Sequence, residues 1–557
     1  MKTTTAVLGL DFGTAAVRAL VVDAATGREL GSASRAYPSG DHGVLHDPAD
    51  RDVARQHPGD HLGCATAAVR EALARARDAG CEPAAIAGIG VDTTGSTPLP
   101  VDAHMQPLAL RPEFRGALAA AAWLWKDHSA HAEAAEITAL ARSRGLPYLD
   151  TCGGAYSSEW FWSKVLRCAR TAPPVFAAAA AWFELCDFVP AWLCGITDPA
   201  AVPRSICAAG HKAMYHPRWG GLPAREFLAA LHAELPRVAA TFRAPAQPSD
   251  RRAGTLCERV AGELGLCPGI PVATGALDAH HGAVGSGCAP GTLVKILGTS
   301  TCDCIVEPLS TALPAIPGVA GIAPESILPG MHGIEAGQSA VGDIFHWFVE
   351  KVAPRGFGDG DAMHGVLSRA AAALRPGASG LLALDWHNGN RCVLADPRLS
   401  GLVLGLSLST TAPELYRAWI EATAFGARMI LDRLAEHGVR VDRIVTCGGV
   451  AEKNPLLMQI YADVLERPLL SARSGEACAL GAAVFAAVVA GVHPDALAAQ
   501  RAMTGQKEAA YRPGGPAVAI YRRLFACYRS VHDAFGTKGA GPIDGVMKEL
   551  LAIRDGA

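Results

Sequence analysis

The residues best suited to chemistry near the start of the chain are an aspartate and a Gly-Thr pair set between two apolar segments. In "VLGLDFGTAAVRALVVD", Asp11 ends the first segment, and Gly13 and Thr14 follow before the apolar alternation resumes. Turn amides and a hydroxyl can hold phosphate oxygens, while a carboxylate holds Mg²⁺ through water. The stretch therefore predicts a metal and phosphate site on a β-hairpin, with an ordinary Asp-containing hairpin as the alternative.

The same pattern recurs in outline at 291–308, "GTLVKILGTSTCDCIVEP". Gly298 and Thr299 form its turn, but Leu297 rather than an aspartate precedes them. A repeat far longer than solenoid periods predicts two related domains that face each other. Two Gly-Thr turns on one cleft would bind a polyphosphate from both sides. The Pro- and Gly-containing stretch 285–291 is the predicted boundary between the domains.

A second carboxylate, Asp278, follows a strand-like segment in "TGALDAHHGAVGSG" (274–287). A carboxylate that faces a cleft from the end of a strand is a candidate general base, and capping the next helix is the alternative. His280 and His281 follow directly. Adjacent His side chains diverge and no i,i+4 His partner is present, so we expect no metal role for them.

A glycine pair marks a candidate nucleotide pocket in "CGGVAEKNPLL" (447–457). Gly448 and Gly449 would let the backbone approach a flat ring closely, and Asn454 would cap a helix or contact a ligand. The chain contains no Walker A motif and no G-x-G-x-x-G opening a βαβ unit. An NAD enzyme and a P-loop ATPase are therefore disfavoured.

The elements that must position these residues alternate between strands and helices. Strand-like segments lie at 86–92, 270–278 and 442–450, and helical patterns at 61–79, 113–143, 156–170 and 454–468. Such alternation in both halves of the chain predicts an α/β fold. The uncharged run 477–492 is shorter than the ~18 residues that suggest a membrane span, so we interpret it as a buried core helix.

Composition narrows the class of protein further. The 557 residues are enough for two or more domains. The net charge of −3 does not indicate the positively charged surface that nucleic-acid binding requires. The 16 cysteines show neither a zinc signature nor a disulfide framework, which indicates reduced thiols. With no signal peptide apparent at the start of the sequence, we expect a cytoplasmic location and no membrane partner.

The motifs occur in the order found in the FGGY carbohydrate kinases, which share a superfamily with actin and the heat-shock chaperone ATPases. The chain resembles this family over roughly residues 6–535. Longer blocks are similar to its L-ribulokinase branch, most specifically "GGAYSSEWFWSKVL" (153–166) and "GIEAGQSAVGDIFHWFV" (333–349). The resemblance implies two actin-like (ribonuclease H-like) domains, residues 1–288 with the sugar site and the catalytic base and residues 289–557 with the nucleotide site, with a catalytic cleft between them.

The resemblance also implies a role for each candidate residue. These roles are Asp278 as general base and sugar contact; Lys212, Glu335 and the backbone at Gly95 as sugar contacts; Asp11 as the Mg²⁺ residue, through water; Thr14, Gly298 and Thr299 as phosphate contacts; and Gly448, Gly449 and Asn454 as the adenosine pocket. Alternatives remain open: Lys212 as a surface lysine, Glu335 as a helix cap, and Trp125 as a substrate contact or part of a packed helix face.

The implied activity is ATP- and Mg²⁺-dependent phosphorylation of a ketopentose. The first expectation is conversion of L-ribulose to L-ribulose 5-phosphate in arabinose breakdown. Kinases for xylulose, D-ribulose or ribitol are the alternatives within the family. An actin-like or chaperone-like ATPase is the alternative of a different class, and Asp278 with the two sugar-contact blocks disfavours it. The expected partners are a sugar and ATP, and a homodimer is left open.

Overall fold

Strands and helices alternate along the chain, as the apolar pattern predicts. The computed structural model describes residues 5–555, with side chains except at positions 361, 508–510 and 555. The strands are β1 (Ala6–Phe12), β2 (Ala16–Asp23), β3 (Glu29–Ala36), β4 (Leu45–Asp47), β5 (Asp50–Gln56), β6 (Ile86–Thr93), β7 (Pro98–Val101), β8 (Ala122–Trp123), β9 (Ala181–Glu184), β10 (Arg252–Thr255), β11 (Pro271–Ala273), β12 (Ala276–Leu277), β13 (Thr292–Leu297), β14 (Thr301–Pro308), β15 (Gly321–Pro324), β16 (Met331–Ala336), β17 (Leu382–Leu384), β18 (Leu402–Leu404), β19 (Arg443–Cys447), β20 (Leu469–Ala472) and β21 (Gln506–Tyr511).

The α-helices connect these strands and cover the sheets. They are α1 (Pro58–Asp78), α2 (His131–Ser143), α3 (Phe161–Thr171), α4 (Pro173–Ala178), α5 (Leu185–Cys194), α6 (Ile206–Lys212), α7 (Arg225–Leu231), α8 (Leu235–Ala239), α9 (Glu258–Leu264), α10 (Asp278–Gly285), α11 (Gly342–Trp347), α12 (Gly360–Ala372), α13 (Ala412–Glu436), α14 (Gly449–Lys453), α15 (Pro455–Leu465), α16 (Ala477–Val489), α17 (Ala496–Met503), α18 (Gly515–Gly536) and α19 (Val546–Asp555). Within residues 5–555, no helix has the length and apolarity needed to cross a bilayer.

Two seven-stranded sheets repeat one topology. The first runs β3–β2–β1–β6–β11–β10, with β12 also paired to β6, and the second runs β15–β16–β14–β13–β19–β20–β21. In the first sheet β1 is antiparallel to β2 and parallel to β6. In the second, β13 is antiparallel to β14 and parallel to β19. The two Gly-Thr hairpins therefore occupy equivalent places, which confirms the predicted internal repeat and the two-domain α/β fold.

Helix α16 is the predicted core helix at 477–492, and it packs against the first sheet although it comes from the second half of the chain. A Cβ added to Gly9 of β1 would lie 1.9 Å from the Ala479 carbonyl oxygen, and one on Gly90 of β6 would lie 1.9 Å from that of Ala482. The absence of side chains at these glycines lets the helix backbone rest directly on the sheet. The Ala- and Gly-rich composition of α16 is thus explained by close packing.

The prediction of one long helix over 113–143 is wrong, because only 131–143 is helical. Residues 112–114 and 118–120 form short 3₁₀ turns, and Ala122 and Trp123 pair with β5. Helix propensity from alanine is a weak signal that tertiary pairing overrides. The segment 270–278 is also interrupted, since β11 ends at Ala273 and β12 resumes at Ala276.

Candidate active site

Three aspartates lie together at the carboxyl ends of neighbouring strands in the first sheet. Asp11 of β1 is in register with Asp92 of β6, and Leu277 of β12 pairs with Thr93. Asp278 follows Leu277 and begins helix α10. Ligand sites of open α/β sheets form at this edge, where parallel strands end. Asp92 is a site residue that the sequence reasoning did not single out.

Asp11 is buried, and its Oδ2 accepts a hydrogen bond from Arg18 Nη1 at 2.9 Å across the hairpin. The sequence reasoning missed this ion pair, although Arg18 stands opposite Asp11 in the quoted stretch. The second oxygen, Oδ1, lies on the side of the Gly13 turn. Both oxygens of the neighbouring Asp92 are buried without a donor among the described residues, and burial, followed by the negative charge of Asp11, raises the pKa of Asp92. Carboxylate oxygens are hard donors, so the free Oδ1 of Asp11 fits Mg²⁺.

Asp278 has the environment of a general base. Its Oδ1 accepts a hydrogen bond from the Ala279 amide at 2.7 Å, and the residue is partly exposed at the first position of α10. The capping alternative therefore holds only in part, because Leu277 occupies the cap position itself. Burial, followed by the negative charge of Asp11, raises the pKa of Asp278 to about 7. A carboxylate poised near neutral pH is suited to accepting a proton.

A cavity of about 180 Å³ gathers most of the predicted residues. It is lined by the predicted Thr14, Gly95, Lys212, Asp278, Gly298, Thr299 and Glu335, and also by Trp125, Leu277, Ala279, His280, Ile296, Ser300, Cys302, Arg391 and Cys478. Both Gly-Thr turns therefore face the same space as the candidate base. Residues from both halves of the chain, each half carrying one of the two large sheets, form the cavity wall.

Each Gly-Thr turn is held by contacts from outside its hairpin. The Trp125 indole N–H donates to Thr14 Oγ1 at 3.0 Å, and Gln56 Nε2 donates to the Thr14 carbonyl at 2.8 Å. Trp125 lies in a non-helical segment, so the packed-helix alternative is wrong and the residue lines the cavity. The Thr299 carbonyl accepts from the amides of Val341, at 2.8 Å, and Asp343, at 3.1 Å.

Lys212 and Glu335 form a buried ion pair in the cavity wall. Lys212 Nζ donates to both carboxylate oxygens of Glu335, at 2.7 and 2.9 Å. Lys212 ends helix α6 and Glu335 lies on strand β16, so the surface-lysine and helix-cap alternatives are both wrong. Burial alone would raise the pKa of Glu335, but Lys212, together with His211 and His280, outweighs burial and lowers that pKa. The pair thus presents a fixed ammonium and a fixed carboxylate to a polar ligand.

Two buried histidines complete the surroundings of Glu335. His280 Nε2 lies 3.4 Å and His211 Nδ1 lies 3.6 Å from Glu335 Oε2. Burial lowers the pKa of His280 to about 4, so its ring is neutral at pH 7. His281 points elsewhere, with its Nε2 3.2 Å from Ser249 Oγ, which confirms that the adjacent histidines diverge. Lys212 occupies both carboxylate oxygens of Glu335, whereas Arg18 occupies only one of Asp11, so a metal ion is disfavoured at Glu335.

The predicted adenosine residues lie beside the second turn and outside the walls of this cavity. Gly448 has φ +97°, and a Cβ there would lie 2.5 Å from the Leu297 carbonyl oxygen, so only glycine fits. Gly449 is exposed and faces open space. Asn454 caps helix α15 by accepting from the Leu457 amide at 3.1 Å. The capping alternative for Asn454 is thereby confirmed, while a contact of these residues with adenosine stays a prediction.

Lys164 is a further residue that the sequence reasoning did not single out. Its buried ammonium donates to the carbonyls of Ser96, at 2.8 Å, Trp123, at 3.2 Å, and Leu124, at 2.8 Å. Ser96 follows Gly95, and Trp123 and Leu124 precede Trp125. Lys164 therefore holds the backbone beside two residues of the cavity wall. Lys164 lies in the block 153–166 that resembles the ribulokinases. That resemblance is the one feature of the sequence that could have identified Lys164.

Comparisons with known proteins identify the family to which the chain belongs. The model of the FGGY family of carbohydrate kinases, C-terminal domain, matches residues 293–490. Curated ribulokinases of Geobacillus thermodenitrificans and Anoxybacillus flavithermus are 41% and 40% identical, each over 98% of this chain and 96% of the relative. The fold is similar to xylulose kinase from Rhodospirillum rubrum, with a TM-score of 0.74, 24% identity, and coverage of 95% of this chain and 98% of that one. The chain therefore belongs to the FGGY family of carbohydrate kinases, among the ribulokinases of that family.

Proposed function

We propose that this enzyme transfers the γ-phosphoryl group of ATP to L-ribulose and yields L-ribulose 5-phosphate, the step that feeds L-arabinose breakdown. One observation carries the proposal: Asp278, the Lys212–Glu335 pair and both Gly-Thr turns share a single cavity. A polyol substrate needs fixed donors and acceptors, and a phosphoryl donor needs amides and hydroxyls. The ribulokinase relatives support a pentulose as the sugar.

In the proposed reaction, Asp278 accepts the proton of the sugar's C5 hydroxyl as that oxygen attacks the γ-phosphorus. The new O–P bond forms while the bond from the γ-phosphorus to the bridging oxygen breaks, and ADP leaves with that electron pair. Phosphoryl transfer requires little covalent chemistry from the protein, so positioning and charge neutralisation dominate. A pKa of about 7 suits Asp278 for this proton transfer.

The remaining residues bind and orient the two substrates. Thr14 and Thr299 contact the phosphates from opposite halves of the chain, and Gly448 and Gly449 form the floor of the adenosine site. Asp11, with Asp92 behind it, holds Mg²⁺ through water, and the ion neutralises phosphate charge when bound. Closure of the two halves around the substrates excludes water and limits wasteful ATP hydrolysis.

The substrate panel that tests the proposal contains L-ribulose, D-ribulose, D-xylulose and ribitol, each assayed with ATP for kcat/KM. We expect L-ribulose to give the highest kcat/KM, and the ³¹P NMR spectrum of its product to show coupling to the two C5 protons. A higher value for another pentulose or polyol would assign the chain to one of the alternative kinases. ATP turnover that is independent of all four sugars would favour an actin-like or chaperone-like ATPase instead. We also propose a cytoplasmic location and leave a homodimer to be tested by light scattering.

A further inference from the structure

Arg391 lines the catalytic cavity from the loop between β17 and β18. The loop is held in place by paired backbone hydrogen bonds of 2.9 Å between Asn390 and Asp396, and by the Arg391 amide, which donates to Ser339 Oγ at 3.2 Å. The guanidinium is therefore presented by a fixed backbone. Its Cζ lies 5.9 Å from the ring centroid of Trp125, on the opposite wall of the cavity.

The guanidinium reaches from the second half of the chain to Glu159, in the segment before helix α3. Arg391 Nη2 donates to Glu159 Oε1 at 3.2 Å, and only 17% of the Arg391 side chain is exposed. Burial alone would raise the pKa of Glu159, but the surrounding positive charges, of which Arg391 contributes most, together lower it. The pair thus ties the two walls of the cavity together and fixes the direction of the guanidinium.

Arg391 nevertheless has donors to spare. Its Nε has no hydrogen-bond partner in residues 5–555 but is closed off from solvent, whereas Nη1 is not closed off and makes no hydrogen bond with a described residue either. A guanidinium has five N–H donors, and leaving one buried and unsatisfied is unfavourable. Lys212, by contrast, already uses two of its three N–H donors on Glu335. Arg391 is therefore the cationic group of this cavity with the clearest unused hydrogen-bonding capacity.

We propose that Arg391 is a sugar-binding residue, that its free N–H groups donate to oxygens of the ketopentose, and that Glu159 is a positioning residue for it. The inference rests on the proposed function, since it names a further residue for that substrate. Trp125 and Gly95 come from the first half of the chain and Arg391 from the second. A sugar that contacts both walls therefore favours the closed arrangement of the two halves.

The test compares Arg391→Gln, Arg391→Lys and Glu159→Gln with the wild-type protein. The matched control is Arg398→Gln, which alters an exposed arginine further along the same loop and outside the catalytic cavity. Calorimetric titration with L-ribulose in the absence of ATP gives the sugar Kd without relying on turnover. Steady-state kinetics give KM for sugar and for ATP separately, and thermal unfolding checks that each variant is folded.

We expect Arg391→Gln to weaken the sugar Kd by about 10- to 100-fold, the usual effect of losing a hydrogen bond to a charged group. KM for ATP should stay within about two-fold of wild type, and the Arg398 control should match wild type throughout. Glu159→Gln should weaken sugar binding less than Arg391→Gln. Arg391→Lys keeps a partner for Glu159, so it decides the question if the Gln variant does not fold.

A sugar Kd within two-fold of wild type for a folded Arg391→Gln or Arg391→Lys variant would overturn the inference. Parallel rises in sugar Kd and in KM for ATP would also overturn it, since they would indicate a general disruption of the cleft. The wild-type substrate panel separates these results from a failure of the proposed function. If the wild type prefers another pentulose, the same variants are titrated with that sugar; if it binds no sugar, both proposals fail.

Discussion

The general base is the residue with the sharpest expected pH dependence. Burial and the charge of Asp11 raise the pKa of Asp278 to about 7, and the base acts only when ionised. We therefore expect kcat/KM for the sugar to level off above about pH 7 and to fall about ten-fold per pH unit below it. Asp278→Asn should lower kcat by about 10²–10⁴ and remove this acid limb, with ATP binding retained. Turnover within a few-fold of wild type, or an unchanged acid limb, would contradict the assignment.

The Lys212–Glu335 pair allows stability and function to be separated. Lys212→Met leaves a buried carboxylate uncompensated, which costs about 3–5 kcal/mol. The double variant Lys212→Met/Glu335→Gln removes both charges and keeps an acceptor for the two histidines. We expect urea unfolding to show most of the stability restored in the double variant, while kcat/KM for the sugar stays at least ten-fold low. If the double variant regains turnover together with stability, the pair supports the fold alone.

The sequence predicted single residues better than it predicted their partners. Asp11, Asp278 and the two Gly-Thr turns stand next to strand patterns, so local spacing placed them correctly at a sheet edge. Lys212 and Glu335 are 123 residues apart, and no spacing rule brings them together. Their pairing depends on how helix α6 meets strand β16, which is a property of tertiary packing. Arg391 was missed for the same reason, because an arginine in an irregular loop carries no periodic signal.

At the scale of elements, periodicity identified strands reliably and overestimated helix length where alanine was abundant. The 113–143 stretch satisfies helix propensity, yet Ala122 and Trp123 gain more from pairing with β5. The consequence for the site is direct, because the non-helical segment that follows β8 carries Trp125 into the cavity.

The contact between helix α16 and the first sheet predicts which glycine is indispensable. A Cβ at Gly90 would lie 1.9 Å from the backbone oxygen of Ala482, where no flexible side chain can move aside. We expect Gly90→Ala to lower the free energy of unfolding by about 1–3 kcal/mol. Gly262→Ala is the matched control, since it lies exposed in helix α9 with open space around it. That change should raise stability by about 0.5–1 kcal/mol. Equal effects of the two substitutions on the urea midpoint would contradict this view of the packing.

At the scale of the whole molecule, the repeat found in the sequence accounts for the shared topology of the two sheets. Equivalent hairpins bring one Gly-Thr turn from each sheet to a common cavity, and only the first hairpin has an aspartate just before its Gly-Thr turn. The proposed division at 1–288 and 289–557 separates the two sheets cleanly along the chain. Helix α16 does not follow this division, since it belongs to the second segment and packs against β1 and β6 of the first.

This crossing helix leads to a prediction about the isolated segments. Residues 1–288 alone would expose the sheet face around Gly9 and Gly90 that α16 covers in the whole chain. Exposed apolar sheet surface favours association and weakens cooperative unfolding, so we expect the 1–288 fragment to aggregate or to bind the dye ANS strongly. Co-expression with 289–557 should restore a soluble complex with a cooperative thermal transition, because the second fragment supplies the helix. A 1–288 fragment that unfolds cooperatively on its own and leaves ANS fluorescence unchanged would show that the first sheet does not need α16, and the segment boundary would then mark two independent folding units.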